Sequence, residues 1–130
     1  MYMASSRFGA ARASYQAIDL TSRVEGASPQ QLVAILFDEL MKGFDALLAA
    51  GAKRDRAQIA SHQARVLSIL GGLEGSLDMV SGGEIAQSLS LIYREARRLT
   101  LQGGRECDVE PLKRARAMLA EIASAWNEII

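Results

Sequence analysis

The chain has 130 residues, enough for one core that buries roughly two-thirds of the surface an unfolded chain exposes. Fifteen Lys plus Arg balance fifteen Asp plus Glu, which removes the positive field that non-specific nucleic-acid binders rely on, and aromatics at 5% leave little for base stacking. Hydrophobic residues at 49%, charged residues at 23% and only two prolines describe a globular chain with a core of Leu, Ile, Ala and Met.

The first eighteen residues carry Arg7 and Arg12 and no acid. That composition is shared with organellar transit peptides, but the continuous apolar stretch of a signal peptide is missing, and a mobile N-terminal arm over residues 1–26 is expected. Within it, residues 15–24 suit a short helix laid against the rest. The longest uncharged segment, residues 26–37, is interrupted by Ser28, Pro29, Gln30 and Gln31, so no membrane span and no membrane insertion are expected.

Ser28, Pro29 and Gln31 form a helix start, with a capping hydroxyl, a proline at the first helical position and the reciprocal glutamine of a capping box. A first long helix is predicted from there to about Ala50, stopped by Gly51. Its apolar residues, Leu32, Val33, Leu36, Phe37, Leu40, Met41, Phe44, Leu47 and Leu48, spread over roughly half its circumference, with Asp38, Lys42 and Asp45 on the remainder. One bundle seam needs less, so the surplus implies a deeper core or a cover: the arm, a second copy or a partner peptide.

Asp55 with Gln58 offers a second cap, and a helix is predicted from Arg56 to about Leu77 with a stripe of Ile59, His62, Val66, Ile69, Leu70, Leu73 and Leu77. Behind that stripe Ala60, Ser61, Ala64, Ser68, Gly71, Gly72 and Gly75 make a face of small residues, either a frayed end or a smooth track. Ser81, Gly82 and Gly83 break the chain before a third helix with Ile85, Leu89, Ile92, Ala96 and Leu99 along one side and Leu91 pointing away. Gly103 and Gly104 are expected to end it. Asp108 caps a last helix whose stripe includes Leu112, Ala115, Met118, Leu119, Ile122 and Trp126, the tryptophan as a core anchor. No segment alternates with period two, so the fold class is all-α: an antiparallel up-down four-helix bundle, one domain over residues 1–130.

Chemistry-bearing constellations are scarce. His62 lies on an apolar stripe without a nucleophile, and Glu-x-x-His pairs for a di-metal carboxylate site are lacking, so no catalytic residue, metal or cofactor is assigned. Gly82, Gly83 and Glu84 read as a helix break with a first-turn acid, not an anion site. Arg97 and Arg98 read as a solvated face, and Cys107 as a bystander thiol in a turn, consistent with a reducing compartment.

Several residues together resemble the FliS family of flagellar secretion chaperones: Met1-Tyr2 and Tyr15, then Ala27-Ser28-Pro29 followed by Leu32 and Leu36-Phe37-Asp38, then Gly82-Gly83-Glu84-Ile85-Ala86, Leu89, Tyr93 and Ala125-Trp126. The resemblance spans nearly the whole chain. It implies a non-enzymatic cytoplasmic chaperone that binds the C-terminal region of flagellin, blocks premature polymerisation and presents the client to a component of the flagellar export gate. By the same resemblance the partner-binding residues are Tyr15, Leu32, Leu36, Ile85, Leu89 and Tyr93, with Asp38 and Glu84 as polar rim, and residues 2–17 act as a displaceable lid. The sequence departs from the family after Tyr93, where Arg94 and Glu95 replace an acidic residue and a second tyrosine. A homodimer of the client-free protein is the competing expectation.

Overall fold

A computed structural model describes residues 24–78 and 82–129, and these form four helices without a strand. They are α1 (Pro29–Ala52), α2 (Arg56–Gly75), α3 (Gly83–Glu106) and α4 (Val109–Ile129). Each helix packs on the next and α4 closes back on α1, giving the four-helix ring that the apolar stripes require. The pairing is antiparallel throughout. The end of α1 meets the start of α4 where Gly51 faces Val109, while the start of α1 meets the end of α4 where Trp126 reaches Gln30. Glu74 of α2 pairs with Arg97 of α3, and Gln63, earlier in α2, faces Gly104, later in α3.

The capping box at α1 is complete. Ser28 Oγ accepts from the Gln31 amide at 3.1 Å and the Gln31 side chain accepts from the Ser28 amide at 2.9 Å. Asp55 accepts from the Gln58 amide at 3.1 Å to start α2, and Asp108 accepts from the Glu110 amide at 3.0 Å at the start of α4.

Helix ends differ from the sequence reading wherever a glycine has a packing task. α1 runs through Gly51 to Ala52 because Gly51 sits against Val109 and Leu112 of α4, and α2 ends earlier than Leu77, with Ser76 Oγ donating to the Leu73 carbonyl at 2.7 Å. α2 continues helical through Gly71, Gly72 and Gly75, so its small-residue end is not frayed. α3 passes through Gly103 and Gly104 to Glu106. A Cβ on Gly103 would stand 2.6 Å from Leu112 Cγ and 2.9 Å from the Asp108 carbonyl oxygen, so this glycine allows α3 and α4 to meet closely where they are joined. The left-handed residue that ends α3 is instead Cys107, with φ 51°. Cys107 stands in the turn after α3, as expected, and its side chain is buried among core residues.

α1 forms the centre of the core: Leu32, Leu36, Leu40, Phe44 and Leu47 are each at 0% exposure. They meet Ile59, Val66, Ile69, Leu70 and Leu73 of α2 and Leu112, Ala115 and Leu119 of α4 in one cluster. The broad apolar face of α1 is therefore chiefly core. Val24, ahead of α1, is buried in the same cluster. His62, placed on the α2 stripe, is only half-buried and borders a depression with Ala46, Ala49 and Gln58. The rest of the expected arm, residues 1–23, lies outside the described residues.

Candidate functional site

An apolar groove opens at the pole where α1 and α3 begin and α2 and α4 end. It encloses about 200 Å³, floored by Val33 and Phe37 of α1 and walled by Ile85, Leu89 and Tyr93 of α3 and Ile122 and Trp126 of α4. The α3 residues arrive by helical spacing: Ile85, Leu89 and Tyr93 are successive i, i+4 positions. Gly82 and Gly83, the latter at φ 54°, start the helix there without a side-chain cap. Ile85 at the lip is 75% exposed, an arrangement that a folded monomer has no internal reason to keep.

Two residues of the groove's wall carry a polar atom. The Trp126 indole N–H donates to the Gln30 carbonyl at 3.1 Å, tying the end of α4 across to the first turn of α1. Trp126 is half-buried: it packs against the core, as expected, and also forms a wall of the groove. Tyr93 is buried, and its hydroxyl has no hydrogen-bond partner among the described residues. Burial pushes the Tyr93 phenol well above its usual pKa, and the Glu74 carboxylate adds to the rise by disfavouring a second negative charge. The phenol is therefore held neutral in the groove's wall.

The structure brings together three of the residues singled out from the sequence, Ile85, Leu89 and Tyr93. Leu32 and Leu36 are fully buried and do not line the groove; they lie beneath it, each one position before a floor residue, Val33 and Phe37. This corrects their reading as partner-contact residues, because the α1 helix turns them inward to α2 and α4. Asp38 is exposed and pairs with Lys42 at 3.2 Å, away from the groove. Glu84 is exposed in the first turn of α3, beside Ile85, where it favourably meets the helix dipole. Tyr15 lies outside the described residues.

Sequence reasoning missed Val33, Phe37, Ile122 and Trp126 as groove residues, since a stripe residue at a helix end looks the same whether or not a neighbour covers it. It also missed Glu39, buried at 4% exposure in α1 and held by Arg65 of α2 at 2.8 Å and Lys42 at 3.6 Å. The signal was present: Glu39 stands one heptad after Leu32, on the same helix face. Arg116 joins Asp45 at 2.8 Å across the α4–α1 seam, so ion pairs on three seams set the register of the bundle.

Among the described residues no group of three or more His, Cys, Asp or Glu side chains could hold a metal ion, and no helix is long and apolar enough to cross a membrane. What the groove offers is apolar area, which suits a helical or extended peptide.

Comparison with known proteins points the same way. The family model described as flagellar protein FliS matches residues 11–130. The flagellar secretion chaperone FliS of Salmonella typhimurium strain LT2 is 31% identical over 119 residues, covering 88% of this chain and 86% of that protein. FliSB of Pseudomonas aeruginosa strain PAO1, also named a flagellar secretion chaperone, is 28% identical over 118 residues, covering 88% of this chain and 91% of its own. FliS of Escherichia coli K12 is 33% identical over 115 residues, covering 88% and 85%.

Proposed function

The chain belongs to the FliS family of flagellar secretion chaperones, and from that premise we propose that it binds the C-terminal region of flagellin in the cytoplasm. Binding prevents premature polymerisation and delivers the client to a component of the flagellar export gate, without catalysis. The observation that carries this reading is the apolar groove, with Ile85 three-quarters exposed at its lip and Tyr93 in its wall. A filament subunit's assembly segment is disordered as a monomer and carries apolar helical anchors, so masking those anchors stops assembly by occupation alone. In this reading Ile85, Leu89 and Trp126 cover the client's apolar face, Tyr93 donates to a client carbonyl, and Glu84 is rim. Residues 1–130 act as one chaperone domain, and residues 2–17, with Tyr15, serve as a lid that the client displaces.

Isothermal titration of the protein with a peptide from the C-terminal region of its cognate flagellin tests the proposal. One-to-one binding with a negative heat-capacity change is the expected result, because apolar surface is buried. Absence of heat at every temperature, together with failure to co-elute, would overturn it and favour a self-associating bundle. Deleting residues 2–17 should strengthen client binding while leaving helicity nearly unchanged.

A further inference from the structure

α3 carries a second exposed face on the side opposite the groove, with two leucines set among polar residues. At 100° per residue, Gln87, Leu91, Arg94, Arg98, Leu101 and Arg105 fall within about 80° of one another, on the arc facing away from the buried Tyr93, Ala96 and Leu99. All six are exposed, and they recur at alternating steps of four and three residues, the spacing with which one helix meets another. Leu91 is 65% exposed and Leu101 41%. Two exposed leucines on an otherwise basic and polar face set it apart from a face serving only solubility.

The charge on this face is one-sided. Arg98 is engaged by Glu95 on its flank, whereas Arg94 and Arg105 have no carboxylate partner among the described residues. Between Leu101 and α2 lies a cleft of about 380 Å³ with Ile59 in its floor, bordered by Gln63 and Gly104 and flanked by Arg105 and the likewise unpaired Arg56. Ala60 and Ala64, exposed on α2, keep that border low enough for another backbone to approach.

We propose that this outer α2–α3 face docks an acidic amphipathic helix of a partner protein, apolar along one side and flanked by Asp and Glu. Its apolar side covers Leu91 and Leu101 and fills the cleft, and its carboxylates pair with Arg94, Arg105 and Arg56. Leu91 and Leu101 are ten residues apart, which places them about 15 Å apart along the axis and requires about three turns of partner helix. A second copy of this chain is the poorer occupant, because a two-fold contact through the face sets Arg94 and Arg105 of both copies against one another. The face lies on the far side of α3 from the groove, so both are open at once, and the proposal stands independently of what fills the groove.

The test uses the full chain and a fluorescent helical peptide of about 18 residues, with leucines at heptad spacing flanked by glutamates. A control peptide carries lysines in their place. Anisotropy should show saturable binding of the glutamate peptide, weakened by salt and weakened roughly tenfold by Arg94→Glu with Arg105→Glu. The lysine peptide should bind the doubly reversed variant better than the parent. Ile85→Asp, in the groove, should leave the glutamate peptide's affinity unchanged, and circular dichroism checks that each variant is folded. Three outcomes overturn the proposal: no saturation by about 1 mM peptide, equal binding of the two peptides, or displacement of the glutamate peptide by the flagellin segment. A concentration-dependent dimer that Leu91→Glu dissolves would also overturn it, assigning the face to self-association.

Discussion

Exposure separates two apolar residues that look alike in sequence, Ile85 and Leu32, and their alanine variants should fail in opposite assays. Ile85 is 75% exposed, so Ile85→Ala removes little native packing and should leave stability within about 0.5 kcal/mol. Full burial of an isoleucine side chain is worth about 1.5–3 kcal/mol, and with three-quarters of it still exposed before binding, a client that covers it gains about 1–2 kcal/mol. The flagellin peptide should therefore bind Ile85→Ala about five- to thirtyfold more weakly. Leu32 is at 0% exposure, and Leu32→Ala should cost about 2–5 kcal/mol of stability through lost burial and the cavity left behind. Urea denaturation supplies the stability of each variant, and titration at a temperature where both are fully folded supplies the affinity. Less than a twofold change in affinity for a fully folded Ile85→Ala would refute the assignment of the groove. A direct affinity loss for Leu32→Ala, larger than that for Ile85→Ala, would refute the reasoning that exposure decides the role.

Two glycine substitutions should move stability in opposite directions. Gly103→Ala forces a Cβ to within 2.6 Å of Leu112 and should destabilise the bundle by about 1–3 kcal/mol, whereas Gly71→Ala, with nothing within 4 Å, should stabilise it by up to about 1 kcal/mol, both read by urea denaturation. Arg65→Ala should cost about 1–2 kcal/mol, because the nearly buried Glu39 loses its closest partner while the half-exposed guanidinium limits the effect through solvent screening; Arg65→Lys should recover part of it. Tyr93 has its pKa raised by burial and by Glu74, so the folded state favours the neutral phenol. Its contribution is complete below the ordinary tyrosine pKa of about 10 and is lost as pH rises above that value toward the folded-state one, so thermal melts should show stability falling on the alkaline side and Tyr93→Phe should flatten that fall. The same variant should hold or gain stability at neutral pH while weakening the flagellin peptide by about three- to tenfold, the worth of one hydrogen bond.

The helix starts were legible because their chemistry is local: Ser28 with Gln31 and Asp55 with Gln58 satisfy amides three residues away, which any reader of the chain can count. The four stripes were legible because a helix repeats every 3.6 residues, and stripes joined by short turns leave few arrangements besides an antiparallel bundle. Helix ends were misread at Gly51 and Gly103. A glycine that stops a helix and a glycine that admits a neighbouring side chain are the same letter, and only the positions of Val109 and Leu112 tell them apart.

The groove belongs to the second kind of information. The residues on either side of it were known as apolar, but whether an apolar side chain is core or lip depends on whether another helix stands over it, a matter of through-space packing between positions far apart in the chain. Leu32 and Ile85 differ in that alone. Likewise Glu39 became a buried partner of Arg65, and Trp126 a bridge to Gln30, because folding brought together positions 26 and 96 residues apart. By itself the sequence determined four amphipathic helices, their starts, their bundle and the family they belong to. The tertiary structure decided which apolar residues remain in contact with water, because burial is a property of pairs of surfaces and not of one helix face.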